Sequence, residues 1–322
     1  MSEGPIGDLI ELGGAGLFVA DVSEGEVPAS PPGVVSVGLH EFGPRPWRGF
    51  EACDILLTRD RDVAAPWVSC EDLEDAMARI AAQVAAQPAA SAAAVQVLRA
   101  SLQLSFEQAL VQESLAYSML LASDAFLAWR VANPPHQRAD DPAPRVLITE
   151  ADGVLTLTLN RPAARNAFDA RLRDELCAAL AFAAEHPDAP PVILSGAGPA
   201  FSAGGDLDEF GQAADPGTAH LIRVLRSAAQ GVRDLGPRIT ARLHGACVGA
   251  GIEVPAAAAR VVAAKGTFFR LPEVSMGLIP GAGGTATLPR RIGRHRAAFM
   301  AISGADIDLP TARAWGLVDA VE

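Results

Sequence analysis

The sequence predicts an α/β protein with an additional helical segment, and three observations lead there. From Val146 onward, short apolar runs alternate with stretches of helical spacing, as in layered strands and helices. Upstream, residues 67–133 contain no glycine and are dense in Ala, Leu and Gln, a helical composition. The chain of 322 residues is 50% hydrophobic and 20% charged, enough apolar material for a large core.

Taken in order, residues 1–66 are rich in Gly, Pro and acidic residues and hold two strand-like runs, Val34–Leu39 and Asp54–Thr58. Leu73, Met77, Ile80, Ala81 and Val84 then recur at helical spacing. Ser105 with Gln108 forms a capping-box pattern that opens a long helix running towards Val131. Asn133-Pro134-Pro135 stops it, and His136–Arg145 reads as a polar linker, so residues 67–139 form a helical segment plus linker. Val154–Leu159 alternates like a half-buried strand, Ala170–Glu185 has helical spacing, and Pro191–Ser195 and Ile239–Leu243 are short apolar strands. A weak internal echo pairs Gly33–Leu39 with Gly153–Leu159, and Asp54–Thr58 with Pro191–Ser195.

Charge and cysteines exclude several classes. The 26 basic residues against 38 acidic ones leave a net charge of −12, which disfavours nucleic acid and acidic membranes as partners. Cys53, Cys70, Cys177 and Cys247 are scattered without CxxC spacing, which suits a reducing compartment and argues against a disulfide framework or structural zinc. Met1–Asp8 has no basic n-region, and the longest apolar stretch, Gly245–Ala264, contains Glu253, Pro255 and Arg260. A cytoplasmic protein without a membrane span is expected.

The chemistry rests on glycine-rich turns beside isolated carboxylates. GxGxxG at a strand–helix turn, GxxxxGK[ST], GxSxG and HExxH are all absent. Asp206, Asp208 and Glu209 read as a solvated loop, because no further oxygen ligands lie at EF-hand spacing; no metal is expected. Phe201-Ser-Ala-Gly-Gly-Asp-Leu207 follows one strand, and His244-Gly-Ala-Cys-Val-Gly-Ala-Gly-Ile-Glu253 follows another. Where such a turn opens a helix, the first N–H groups lack intrahelical acceptors, and two of them aimed at one oxygen make an oxyanion hole. A third element is Phe269-Arg-Leu-Pro-Glu273, followed by Gly277-Leu-Ile-Pro-Gly-Ala-Gly-Gly-Thr285. Glu253 and Glu273 have apolar or small neighbours, so desolvation can raise their pKa values into the acid–base range. The plainer reading, a helix-surface Glu253 and a Glu273 capping or salt-bridging an arginine such as Arg270, stays open at this level.

The order Leu159-Asn-Arg-Pro162, Asn166-Ala167, Ala200–Leu207, Gly249-Ala-Gly-Ile-Glu253, Leu271-Pro-Glu273, Gly277–Thr285 and Gly316-Leu-Val-Asp319 resembles the enoyl-CoA hydratase/isomerase (crotonase) superfamily over residues 145–322. The resemblance implies a crotonase-like spiral of ββα units and assembly into trimers or paired trimers. It also implies an acyl-CoA thioester substrate with coenzyme A as part of it, and no separate cofactor. It places the oxyanion-hole donors at the backbone N–H groups of Gly205 and Ala250. Glu253 and Glu273 fall on the two catalytic glutamates of the hydratases. Ala167, Ala203, Gly204, Asp206 and Gly249 fall on substrate-binding segments. Keeping both glutamates favours a lyase, with Glu253 activating water and Glu273 delivering a proton to the α-carbon. A Δ-isomerase or pathway-specific dehydratase is the same-class alternative, and a non-catalytic scaffold subunit is the other. Arg260 departs from the family pattern, as does Pro255. The family's closing helices, normally C-terminal to the core, resemble residues 67–133 here, with Arg130 near the basic residues that approach coenzyme A phosphates. The implied arrangement is a rearranged chain in which residues 1–66 are a degenerate first copy.

Overall fold

Two sheets of mostly parallel strands carry the architecture, in a computed structural model that describes residues 16–23, 33–43, 49–136, 141–213 and 215–322. The first sheet runs β1 (Leu17–Asp21), β2 (Val35–His40), β3 (Ile55–Thr58) and β4 (Val68–Ser69) in that order, all parallel. Every residue of β2 and β3 is buried, as expected of parallel strands covered on both faces. The second sheet begins with the hairpin β5 (Val146–Ala151) and β6 (Val154–Leu159) and continues in parallel through β7 (Val192–Gly196) and β8 (Ile239–Leu243). β9 (Ala246–Val248) leaves for a small third sheet, while β10 (Arg260–Ala263) and β13 (Ala320–Val321) complete the second. β11 (Phe268–Arg270) and β12 (Ile307–Asp308) join β9.

The first sheet repeats one part of the second, residue for residue in its pairing. Leu17 faces Val35 as Val192 faces Ile239, and Val37 faces Ile55 as Ala241 faces Val261. Leu57 faces Val68 as Ala263 faces Val321. β1-β2-β3-β4 can thus be laid on β7-β8-β10-β13, all parallel. The short sequence echo pointed instead to β6 and β7, and the geometry corrects it. Under that echo Val37 would match Leu157 and Ile55 would match Val192, yet Leu157 pairs with Leu194. Apolar runs of five or six residues match one another too easily to choose the right pair.

The helices marked in the sequence at Leu73–Val84, from Ser105 and at Ala170–Glu185 are present, with one difference. α1 (Leu73–Ala86) is capped by Asp72 and buries Leu73, Met77, Ile80 and Val84. α2 (Pro88–Ser101) follows, and α3 (Phe106–Leu121) opens with the expected capping box of Ser105 and Gln108, a device contributing about 1 kcal/mol. The long helix expected to reach Val131 is two helices. Ser123 ends the first and caps α4 (Asp124–Ala132), accepting from the Phe126 N–H at 3.3 Å. The break turns Phe126 inward, where it is fully buried against Gly211 and Gly277. Residues 137–140 of the predicted linker lie outside the described residues.

Downstream come α5 (Ala170–Glu185), capped by Asp169, α6 (Pro216–Leu225), α7 (Ala228–Asp234) and the single turn α8 (Ala250–Glu253). They are followed by α9 (Gly284–Ile292), α10 (Arg294–Ser303) and α11 (Leu309–Trp315). Pro255 ends α8 and starts a 3-10 turn, where its missing N–H costs no intrahelical bond. α3 packs against α6 and α9, and α2 against α9 and α10. One continuous core joins Leu39, Ile55, Ile80 and Leu98 upstream to Phe201, Leu243 and Phe269 downstream. Arg294 donates to the Cys53 carbonyl at 3.1 Å, and Arg296 donates to Trp67 and Val63 carbonyls at 3.0 and 2.9 Å. The upstream sheet is thus tied to α10 by buried backbone acceptors as well as by apolar contact.

Candidate active site

Two turns from neighbouring strands meet where both glycine-rich motifs lie. Ser202 N–H donates to the Ala246 carbonyl at 3.2 Å, and Val248 N–H donates to the Ser202 carbonyl at 3.0 Å. Gly204 sits so close that a Cβ there would stand 2.8 Å from the Val248 carbonyl oxygen. Gly249, at φ 49°, turns the chain into α8, and a Cβ there would overlap the Glu273 carboxylate. Only the second turn opens a helix. Residues after Gly205 form a turn through Gly211, and the next helix starts at Pro216.

Gly205, Ala250, Glu253 and Glu273 line one cavity of about 260 Å³. Neither the Gly205 nor the Ala250 N–H meets an acceptor among the described residues. Ala250 is the first residue of α8, where no intrahelical acceptor exists. Glu253 is 2% exposed, and its Oε2 accepts from Ala282 and Gly284 N–H at 2.8 and 2.9 Å. Burial, then the negative charges of Glu273 and Glu113, push its carboxyl well above the ordinary range. Glu273 opens a 3-10 turn, is 7% exposed, and its buried Oε2 has no partner. Burial raises it to about 8, helped by Glu113 and opposed by Arg270. Arg270 itself lies 3.9 Å from Asp306, so the surface ion pair weighed for Glu273 is not formed.

A second cavity of about 730 Å³ shares Gly205 and Asp206 with the first and is also lined by Ala167, Ala203, Arg161 and Arg165. Asn166 holds this wall, its amide donating to the Ala197, Ala200 and Phe201 carbonyls at 2.8–3.0 Å. The acidic run is a solvated loop only in part, with Glu209 exposed and Asp206 buried. Asp206 is 4% exposed and pairs with Arg161 at 2.6 Å, and Glu209 accepts from the Ala170 N–H at 2.6 Å. Its charges staple the turn to neighbouring chain, which local sequence could not reveal because Arg161 is distant in sequence. No His, Cys, Asp and Glu cluster suited to a metal occurs among the described residues. Gly204 and Gly249 are not among the residues lining either cavity, and Arg130 rests on Trp129 with its guanidinium carbon 4.9 Å from the ring centroid.

Among the lining residues that escaped the sequence reading are Glu113 and Tyr117, both from α3. Glu113 is 2% exposed and accepts from Gly283 N–H, Thr285 N–H and Thr285 Oγ1 at 2.7–2.8 Å. Burial raises it to about 7 against those hydrogen bonds and Arg223. Tyr117 lies against Gly281, which leaves no room for a Cβ, with the Arg223 guanidinium 4.7 Å from its ring centroid. A signal existed: Phe106, Ala109, Glu113, Tyr117 and Leu120 share one helical face, so a carboxylate stands in an apolar stripe.

Residues 149–322 match the family model described as enoyl-CoA hydratase/isomerase. The chain is 38% identical over 174 residues to a mevalonyl-coenzyme A hydratase of Beauveria bassiana, covering 52% of this chain and 62% of that one. It is 34% identical over 187 residues to the 2,3-dehydroadipyl-CoA hydratase of Escherichia coli, covering 55% of this chain and 68% of that one. The solved enoyl-CoA hydratase of Thermoplasma volcanium superposes with a TM-score of 0.52 at 31% identity, over 56% of this chain and 72% of that one. The chain thus spans roughly two thirds of the relatives it matches.

Proposed function

Because the chain belongs to the enoyl-CoA hydratase/isomerase family, we propose that it adds water reversibly across the 2,3 double bond of an enoyl-CoA thioester. The observation that carries this reading is one cavity wall with two buried glutamates and two acceptor-free N–H groups, Gly205 and Ala250. The thioester oxygen would accept from those N–H groups, which stabilise the negative charge developing there and leave the β-carbon electrophilic. Two adjacent buried carboxylates resist carrying two charges, so the pair holds a proton near neutral pH. Two N–H donors favour the charge on Glu253, and the unpartnered Oε2 favours the proton on Glu273. Glu253 then takes a proton from water as it attacks the β-carbon, and Glu273 gives its proton to the α-carbon. The second cavity, beyond Gly205, would hold coenzyme A along Ala167, Ala203 and Asp206.

Loss of crotonyl-CoA ultraviolet absorbance on mixing with the protein tests the reading directly, since hydration removes the conjugated chromophore. Double-bond migration without water uptake would favour the isomerase, and silence across a panel of enoyl-CoAs would favour a scaffold. For the upstream part we propose that residues 1–66 are a remnant copy and that the helices of residues 67–133 close the downstream core; the shared strand order and direction of the two sheets and the packing of α2 and α3 on α9 and α10 support this. A trimer or hexamer is the assembly proposed, supported by exposed Leu115, Met119, Leu221 and Leu225 on adjacent α3 and α6, and light scattering tests it. No described helix is long and apolar enough to cross a membrane, and the free cysteines support a cytoplasmic location.

A further inference from the structure

Glu113 is the buried carboxylate that the acid–base reading leaves without a task. The loop it grips is unusually poor in side chains, Gly281-Ala282-Gly283-Gly284, with Gly283 at φ 109°. Such a segment has little conformational preference of its own and depends on outside anchors. Its N–H groups are divided alternately between two carboxylates. Ala282 and Gly284 donate to Glu253 at 2.8 and 2.9 Å, whereas Gly283 and Thr285 donate to Glu113 at 2.7 and 2.8 Å. The Thr285 hydroxyl adds a third bond to Glu113 at 2.7 Å.

The charged and titratable groups acting around Glu113 are Glu253, Glu273, Tyr117 and Arg223, the last reaching over from α6 and donating to Ser114 Oγ on α3 at 3.1 Å. We propose that Glu113 is a positioning residue: by holding Gly283 and Thr285 it keeps Ala282 and Gly284 aimed at Glu253, so an upstream helix sets the catalytic carboxylate. The proposal rests on the reading of Glu253 as an acid–base residue. It explains why a fully buried acid stands in the apolar stripe of α3, where a leucine would pack at lower desolvation cost.

Glu113→Gln in the full chain keeps the volume and removes one of the two acceptor oxygens. The expected result is a fall in kcat with crotonyl-CoA of about tenfold or more while KM changes less than about threefold. Native-state amide exchange at Ala282 and Gly284, neither bonded to Glu113, should accelerate about tenfold or more. Wild-type protection at those two amides, or an unchanged kcat, overturns the proposal. If that variant does not fold, Thr285→Val removes only the hydroxyl bond and should lower kcat about threefold at unchanged KM; no change there overturns it equally. A wild-type protein silent toward every enoyl-CoA defeats the hydratase reading instead, and amide exchange then decides the positioning role alone.

Discussion

The first sheet and the matching part of the second share strand order, direction and register, and differ in what joins the strands. Residues 22–34 link β1 to β2, whereas residues 197–238 link β7 to β8 and bring Gly205, α6 and α7. Residues 59–67 link β3 to β4, whereas residues 264–319 link β10 to β13 and bring Glu273 and α9 to α11. The strands supply a frame in both regions, and of the connections between them only the longer downstream ones bring residues to the cavity. The upstream region has a sheet with short links and the helices that follow it. Those helices contribute Glu113 and Tyr117 to the downstream cavity.

The sharpest way to break this comparison is to separate the two regions. Residues 145–322 expressed alone should be insoluble or inactive, because α9 and α10 lose the cover of α2 and α3; co-expression of residues 1–140 should restore a soluble, active complex. A soluble and fully active 145–322 fragment would make the upstream region an independent domain.

Next in size are the glutamates. Glu253→Gln and Glu273→Gln should each lower kcat by about 10²-fold or more with little change in acyl-CoA binding. Glu51→Gln, in the corresponding β2–β3 connection, should leave kcat at the wild-type value. Steady-state kinetics on the three variants checks both halves, and near-normal turnover in either of the first two would defeat the two-carboxylate mechanism.

Ala250→Val should lower kcat/KM by about tenfold or more by crowding the thioester oxygen, with the circular dichroism spectrum unchanged. The smallest effect is on pH. Glu273 is raised from an ordinary carboxylate value to about 8, so the folded state binds its proton more tightly than the unfolded state. Its contribution to stability is fully present below the unfolded pKa and fades as pH rises through about 8, where kcat/KM should fall as well. Denaturation midpoints of wild type and Glu273→Gln should follow each other at low pH and separate as the pH rises towards about 8, wild type falling below the variant; parallel curves throughout would show that Glu273 titrates normally.

Much of this was legible in the sequence because it is encoded locally. The helix cap at Ser105, the alternation of Val154–Leu159 and the stop at Asn133-Pro134 act within a few residues of themselves. Glu253 and Glu273 stood out because their flanks are small or apolar, and both are buried in one cavity wall. Tertiary structure alone decided the rest. The partner of Asp206 is Arg161, the partners of Glu113 are Gly283 and Thr285, and the sheet matching β1–β4 is identified by pairing. In each case the energy lies in a contact between segments far apart in the chain. A residue's own neighbours state that it can be buried or bonded, and only the packing of distant elements states with what.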